Sequence, residues 1–330
     1  MKPITINDIA RLAGVSKSTV SRVLSSPSMV KKSTREGVLK IIQEHSFVPN
    51  HLAQGLAGIS TKTIGIVVDE LYNSFFIEIV EGVDSILGNF DYSLQLYSSR
   101  WVEEKELHHV SALISKQVDG ILLAPIAIKG ETIDLLKQSG IPFVLVNCVP
   151  EDTSLHHVAF DNLKGGQLVA DFVNTLEKEQ IILITGYTHQ TMDDRVEGFY
   201  SKVNNPDSVI RYKGIKTFED GLEIADMLLA RNAISTKKTV IFITNDNVAV
   251  GVSHKLSCMG IDIPSQVAII GFDDIKLASL CKIPLTTISQ SIKEIGKIAA
   301  LDLIDLIHGQ KIDSPGHILE PKLIIRESAT

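Results

Sequence analysis

Ile4-Thr-Ile-Asn-Asp-Ile-Ala-Arg-Leu-Ala-Gly-Val-Ser-Lys-Ser-Thr-Val-Ser-Arg-Val-Leu24 is the stretch whose reading decides the class of the whole chain. Apolar residues at Ile6, Ile9, Ala10, Leu12 and Ala13 predict one face of a short helix, and Val20, Val23 and Leu24 predict the buried side of a second. Gly14 can take a left-handed φ where the first helix ends. The Ser16 hydroxyl can accept a backbone N–H where the second begins. Two helices joined this tightly are a helix-turn-helix. On the second, Lys17, Ser18, Ser21 and Arg22 face away from the apolar side and are free to reach base edges in a major groove.

The competing reading is a pair of core helices whose polar face meets only water, and charge weighs against it. The 330 residues are 44 % apolar and carry a net charge of −7, but residues 1–62 hold nine Lys/Arg against three acids, +6, which leaves −13 on the rest. A basic head on an acidic body suits a small DNA-binding module joined to a domain with a different ligand. The length allows two or three domains with sizeable cores. No signal or transit sequence and no run of 18 apolar residues is present, so a soluble, cytoplasmic protein without a membrane partner is expected. Cys148, Cys258 and Cys281 are odd in number and scattered, which implies neither a disulfide framework nor zinc. At least two read as buried, inert thiols.

Past the second helix, Ser25-Ser26-Pro27-Ser28 breaks the pattern, and Ser33-Thr34 is expected to cap a third helix running to about His45, with Val38, Leu39, Ile41 and Ile42 inward. Ser33 and Thr34, with Lys31, Lys32 and Arg35, are placed to touch phosphates. Pro49 and Asn50 then introduce two helical turns with Leu52, Ala53, Leu56 and Ala57 on one side, ending at Gly58. A helix that short needs a partner to be ordered in water.

From Thr63 the pattern changes to short apolar runs. Strands are expected at Ile64–Val68, Leu94–Tyr97, Ile121–Ala124, Phe143–Val146, Ile181–Thr185, Val209–Tyr212, Val240–Thr244 and Val267–Ile270. Alternation with amphipathic helices makes this an α/β body of two doubly wound lobes with parallel sheets, whose ligands sit at the carboxyl ends of strands. Six polar residues stand at such ends: Asn73, Asn147, Arg195 (beginning a helix), Asn245, Asp273 and Gln290. Phe75 and Phe76 read either as helix core or as an apolar floor for a ring. Asn245 and Asp273 also read as helix caps. Together the set fits a sugar site, with amides, one carboxylate and one arginine for hydroxyls and rings for C–H faces.

An enzyme on a nucleotide-binding sheet is the reading from another class. No G-x-G-x-x-G follows a strand, no phosphate-loop sequence occurs, and Gly165-Gly166 is too short a signal. The pairs His108-His109 and His156-His157 lack the spacing of metal ligands on one helix face and read as surface histidines. Catalysis, cofactors and metals are therefore not expected.

The motifs Thr5-Ile-Asn-Asp-Ile-Ala, Ala13-Gly-Val-Ser, Thr19-Val-Ser-Arg-Val, Ser33-Thr-Arg, Pro49-Asn, Leu56-Ala and Leu323-Ile-Ile-Arg closely resemble the lactose/galactose repressor family of bacterial transcription regulators, in a ribose-repressor-like or catabolite-control-like branch. The resemblance implies a three-helix DNA-binding head (1–48), a hinge helix and linker (49–61), and a periplasmic-binding-protein-like type I body (62–330). Its N-lobe would be 62–161 and 290–322, and its C-lobe 162–289 and 323–330. It implies DNA contacts at Thr5, Ser16, Lys17, Ser18, Thr19, Ser21, Arg22, Ser33, Thr34, Asn50, Ala53, Leu56 and Ala57, with Leu56 wedged into the central base step. It implies an effector cleft lined by Asn73, Phe75, Phe76, Asn147, Arg195, Asn245, Phe272, Asp273 and Gln290. Cys148 departs from the similar ribose-binding proteins, which carry an arginine there. The helix Ile292–His308 contains no arginine, whereas the catabolite-control branch uses a basic residue there to help receive a phosphorylated carrier protein, so that partner is not expected. The implied function is a homodimeric repressor of a carbohydrate operon on a palindromic operator, released by a small sugar such as ribose or another pentose or hexose. The alternative is a purine or sugar phosphate acting as corepressor.

Overall fold

The computed structural model describes residues 4–25, 27–47, 60–72, 74–234 and 237–330. By their contacts they fall into two compact units, Met1–Lys62 with Ser115–Asp119, and Thr63–Ile114 with Gly120–Thr330.

In the first unit, α1 (Ile6–Leu12) begins at a capping box. Asp8 N–H donates to the Thr5 hydroxyl oxygen, while the Asp8 carboxylate accepts from the Thr5 N–H at 3.0 Å. Gly14 takes φ +62°, and α2 (Lys17–Ser25) starts with Thr19 N–H donating to Ser16 Oγ at 3.1 Å. Both helix ends thus use the residues that the sequence marks for them. Ile9, Ala10, Val20, Val23 and Val38 form the core, and Ile4, Ile6, Val15, Ile41, Ile42 and Phe47 pack around it.

Two expectations are corrected here, and a third falls outside the described residues. Leu12 and Leu39 are 48 % and 44 % exposed, because helices this short bury only a narrow stripe. α3 (Lys32–Glu44) starts ahead of Ser33 and Thr34, which lie in its first turn. Its N-cap Lys31 makes no side-chain capping bond. The expected hinge helix, with Asn50, Ala53, Leu56 and Ala57, lies outside the described residues. Where the chain is described again, Asp119 takes the N–H groups of Thr61 and Lys62 at 2.8 and 3.0 Å, along with the Ser60 hydroxyl.

The second unit contains a six-stranded, all-parallel sheet in the order β11-β5-β4-β3-β1-β2. Its strands are β1 (Thr63–Val68), β2 (Ser93–Ser98), β3 (Gly120–Leu123), β4 (Phe143–Val146), β5 (His157–Phe160) and β11 (Gly316–Leu319). Helices α4 (Ser74–Leu87), α5 (Glu103–Ser115), α6 (Glu131–Ser139) and α12 (Ile292–Ile307) belong with it. A four-stranded parallel sheet follows the order β7-β6-β8-β9: β6 (Gln180–Thr185), β7 (Ile210–Lys213), β8 (Thr239–Ile243) and β9 (Val267–Ile270). With it go α7 (Asn162–Thr175), α8 (Gln190–Lys202), α9 (Phe218–Ala230), α10 (Asp246–Cys258) and the short α11 (Lys276–Leu280). The antiparallel pair β10 (Thr287–Ser289) and β12 (Lys322–Ile324) completes the unit.

The expected strands are present to within one or two residues. β5, β10, β11 and β12 carry too little apolar sequence to announce themselves: β5 opens on a histidine, and β10 and β12 are three residues each. The chain passes between the sheets at Asp161, which caps α7 through Lys164 N–H at 2.8 Å, near Ser289, and between β11 and β12.

Three helix pairs meet through glycines on both partners. A Cβ on Gly82 would lie 2.2 Å from Lys293 O, and one on Gly296 would lie 2.1 Å from Ile79 O. The same holds for Gly166 against Arg195 O (2.1 Å) and Gly198 against Leu163 O (2.0 Å), and for Gly221 against Val248 O (2.6 Å) and Gly251 against Phe218 O (2.4 Å). The obstacles are backbone atoms, which cannot swing aside. Gly198→Ala is therefore expected to destabilise the protein by about 1–3 kcal/mol through overpacking, read as a lower urea midpoint with an unchanged slope. An unaltered midpoint would show that α7 and α8 can move apart freely.

Candidate effector cleft and DNA-reading surface

The strand ends of both sheets meet at a cavity lined by Phe75, Phe76, Trp101, Asn147, Tyr187, His189, Thr191, Arg195, Lys216, Asn245 and Asp273, among others. Arg195, in the second turn of α8 rather than at a helix start, is 1 % exposed. Its Nε donates to Asn162 Oδ1 at 2.8 Å and its Nη1 to the Thr244 carbonyl at 2.6 Å. Nη1 also lies 3.0 Å from Asp273 Oδ1. The guanidinium sits over the Phe272 ring, 4.0 Å from its centre. A buried guanidinium is tolerable only with such a set of partners.

Asp273 is pushed up by burial and pulled back by Arg195, and it accepts from Gln290 Nε2 at 2.5 Å. Its φ of 121° lies in a region that L-residues rarely adopt. Arg100, Trp101, Asn147 and Asp274 also take positive φ. Of these, Trp101, Asn147 and Asp273 stand in the cavity wall itself, where strained backbone is compatible with a functional site.

Of the effector residues expected from sequence, Phe75, Phe76, Asn147, Arg195, Asn245 and Asp273 come together on the cavity wall. Phe272 and Gln290 do not line it, since Phe272 backs Arg195 and Gln290 backs Asp273. Asn73 lies outside the described residues. Phe75 and Phe76 are 3 % exposed and meet edge to face at 5.2 Å, so they serve as core and as floor at once. Asn245 caps α10 through Val248 N–H at 2.9 Å and still reaches the cavity. Cys148 is buried, with its thiol raised by burial. Cys258 is exposed and Cys281 intermediate, so only one of the three thiols is fully buried. His157 is buried too, at 5 % exposure, against the expectation of a surface histidine.

Sequence reading missed Trp101, Tyr187, His189 and Lys216. Among the described residues, the buried atoms Trp101 Nε1, Asn147 Oδ1, Thr244 Oγ1 and Asp69 Oδ1 find no hydrogen-bond partner. His189 Nε2 lies 3.2 Å from Pro125 O and its Nδ1 2.9 Å from the Thr191 hydroxyl, which assigns the ring proton to Nε2.

In the head, Lys17, Ser18 and Arg22 are exposed on α2. Ser16 is occupied with Thr19 and Ser18, and Thr5 with Asp8, so their side chains serve first as caps. Arg35 donates to Pro27 O at 3.2 Å and holds the turn after α2. Ser33 stays exposed.

The family model for bacterial regulatory proteins of the lacI family matches residues 5–50, and one for a periplasmic binding protein-like domain matches residues 175–329. The catabolite control protein A of Priestia megaterium is 30 % identical, over 98 % of this chain and 99 % of that one. This chain belongs to the lacI family. Among solved structures, a lacI-family transcriptional regulator from Silicibacter pomeroyi superposes with a TM-score of 0.87 at 25 % identity, over 99 % of both chains. A family member from Enterococcus faecium with bound ribose superposes with a TM-score of 0.71 at 27 % identity, over 81 % of this chain and 98 % of that one. The protein is a DNA-binding transcriptional regulator and not an enzyme.

Asp194, beside Arg195, is pushed up to about 6 by burial and then by Glu197 and Asp193. A carboxyl raised above its unfolded value near 4 favours the folded state most below that pH, and the contribution is lost as pH rises through about 6. Surface acids such as Asp152, held down to about 2 chiefly by its hydrogen bond from Lys137, act below that window. Asp194→Asn should gain on the wild type by about 1 kcal/mol between pH 4 and 7, after allowance for solvent screening. Parallel urea-midpoint profiles for the two proteins would contradict this.

Proposed function

We propose that this regulator represses a carbohydrate-utilisation operon from the cytoplasm, binding a palindromic operator as a homodimer and leaving it when a small neutral sugar occupies the cleft. On this reading the head ends near residue 48, the hinge and linker span 49–61, and the body begins at 62. The two α2 helices would read half-sites with Lys17, Ser18, Ser21 and Arg22. Ser33 and Thr34 at the start of α3 would contribute to phosphate contact.

The observation that carries the reading is the balance of the cleft. Its one buried cation is already matched by Asp273 at 3.0 Å, while an N–H donor (Trp101) and a carbonyl acceptor (Asn147) stand unpartnered among the described residues. Donors and acceptors mixed among four aromatic rings suit the hydroxyls and C–H faces of a sugar. A sugar phosphate would bring charge into a site whose arginine is spoken for. The ribose bound to the Enterococcus faecium relative supports a pentose-sized ligand.

Effector and operator then oppose each other by one coupling factor, of order 5- to 150-fold, and each weakens the other equally. Fluorescence anisotropy against duplexes selected from a random pool tests both parts. Operator affinity should fall steeply from 50 to 200 mM salt, and Arg22→Ala should weaken it. D-ribose or another neutral pentose or hexose should release the duplex, whereas ribose 5-phosphate should not. Release by the phosphate alone, or tighter binding with a purine base, would replace the neutral-sugar inducer with the corresponding ligand.

A further inference from the structure

Trp101 is the only tryptophan in the chain, and it does not lie in a core. It follows β2 of the six-stranded sheet, while Tyr187 follows β6 of the four-stranded sheet. Their rings stack across the cavity at 4.1 Å between centroids and 17° between planes. His189 meets the indole edge to face at 5.7 Å. Lys216 Nζ stands 4.5 Å from the centre of the Tyr187 ring, necessarily over the face that the indole leaves open.

The loop that carries Trp101 is held firmly. Arg100 and Trp101 take φ of 53° and 59°, a conformation that side chains other than glycine rarely adopt. Ser99 N–H and Arg100 N–H donate to the Val68 and Asp69 carbonyls at 2.9 and 2.7 Å. So fixed, the indole reaches into the cleft with Nε1–H buried and without an acceptor among the described residues. A buried donor left unsatisfied is costly. With the two rings stacked, the cavity measures about 40 Å³, against about 300–1,000 Å³ for ordinary ligand pockets.

We propose that the effector takes the place of Tyr187 on the indole of Trp101, so that Trp101 is a ligand-contacting, specificity-determining residue and the Trp101–Tyr187 stack is a gate the effector must part. The proposal rests on the sugar-effector reading above and deepens it. The indole face selects a sugar ring that presents C–H bonds to one side. The Nε1–H at the ring edge then donates to a hydroxyl or ring oxygen. Lys216 holds the displaced phenol by its other face. Tyr187 and the sugar compete for one surface, so the stack opposes binding by its own worth, roughly two- to tenfold.

The test uses the full chain, whose fluorescence on excitation at about 295 nm comes from Trp101 alone. Acrylamide quenching should be at least twofold stronger in Tyr187→Ala than in the wild type. With D-ribose, D-glucose and cellobiose as probes, the sugar that binds by calorimetry should shift Trp101 emission and protect it from acrylamide. Tyr187→Ala should bind that sugar roughly two- to tenfold tighter, Trp101→Ala at least tenfold more weakly, and Trp101→Phe should recover most of the loss. Circular dichroism confirms that each variant is folded. Calorimetric binding that leaves Trp101 emission and quenching unchanged, or full affinity in Trp101→Ala, overturns the proposal alone. Release of operator by a purine and by no sugar overturns the sugar reading, and the gate with it.

Discussion

A single buried ion pair organises the ligand-binding half of this protein. Arg195 and Asp273 are 1 % and 4 % exposed, and a charge withdrawn that far from water is stable only while its counter-charge and hydrogen bonds stay in place. Around this pair the neighbouring sequence becomes intelligible. Gly165 is a glycine because a Cβ there would lie 2.5 Å from Phe272, the ring under the guanidinium. Gly166 is one because α8 passes with the Arg195 carbonyl against it. Gln290 stands just past the second crossing between sheets and fixes the Asp273 carboxylate from behind. Loss of one partner would strand the other, at about 3–5 kcal/mol. The pair is therefore structural first, and the ligand meets a charge already neutralised.

Much of this was legible in the sequence because apolar strands in covered parallel sheets declare themselves, and their carboxyl ends are where such folds place ligands. Asn147, Asn245 and Asp273 follow from that rule alone, whereas Arg195 reaches the cavity from the second turn of α8. Trp101, Tyr187 and His189 do not. They sit in loops without periodicity, and what unites them is a contact between two sheets whose strands are exchanged by the chain. Knowing that β2 and β6 end at one cavity requires the strand order, which hydrophobic pattern does not contain. The signal available was composition: a lone tryptophan just beyond a strand. Phe272 and Gln290 failed the other way, since a strand-end position does not separate a residue in the wall from one behind it. Leu12 and Leu39 were misjudged because the stripe a seven- or thirteen-residue helix buries is narrower than its apolar pattern.

Each sheet carries a buried carboxyl group near the cleft. On the second sheet, Asp246 is fully buried and raised by burial, accepting from Ile275 N–H at 3.1 Å and the Thr287 hydroxyl at 2.7 Å. That arrangement ties α10 to the loop after β9 and to β10. On the first sheet, Asp69 is also buried and raised, first by burial and then by Glu106 and Glu70, yet one of its oxygens has no partner among the described residues. Unmet buried polar atoms stand on both sides, Thr244 Oγ1 and Gln290 Oε1 on the second as well as Asp69 Oδ1 and Asn147 Oδ1 on the first. Buried polar atoms left without partners on two facing sides are the kind of groups that a bound ligand completes.

A ligand can shift a conformational equilibrium only by the difference in its contacts with the two states. A sugar held by Asn147 and Phe75 alone, or by Arg195 and Asn245 alone, would bind without moving anything, because each group rides on one sheet. The cavity wall draws on both, and the segments joining the sheets are few and short: Asp161, the turn after Ser289, and the step from β11 to β12. With three such connections, small φ/ψ changes at each can change the angle between the sheets while each remains intact. The charged pair lies wholly on one side, with Arg195 on α8 and Asp273 just past β9. A ligand that changed the angle between the sheets would therefore have to act through groups that meet across the cleft, since those riding on one sheet move together.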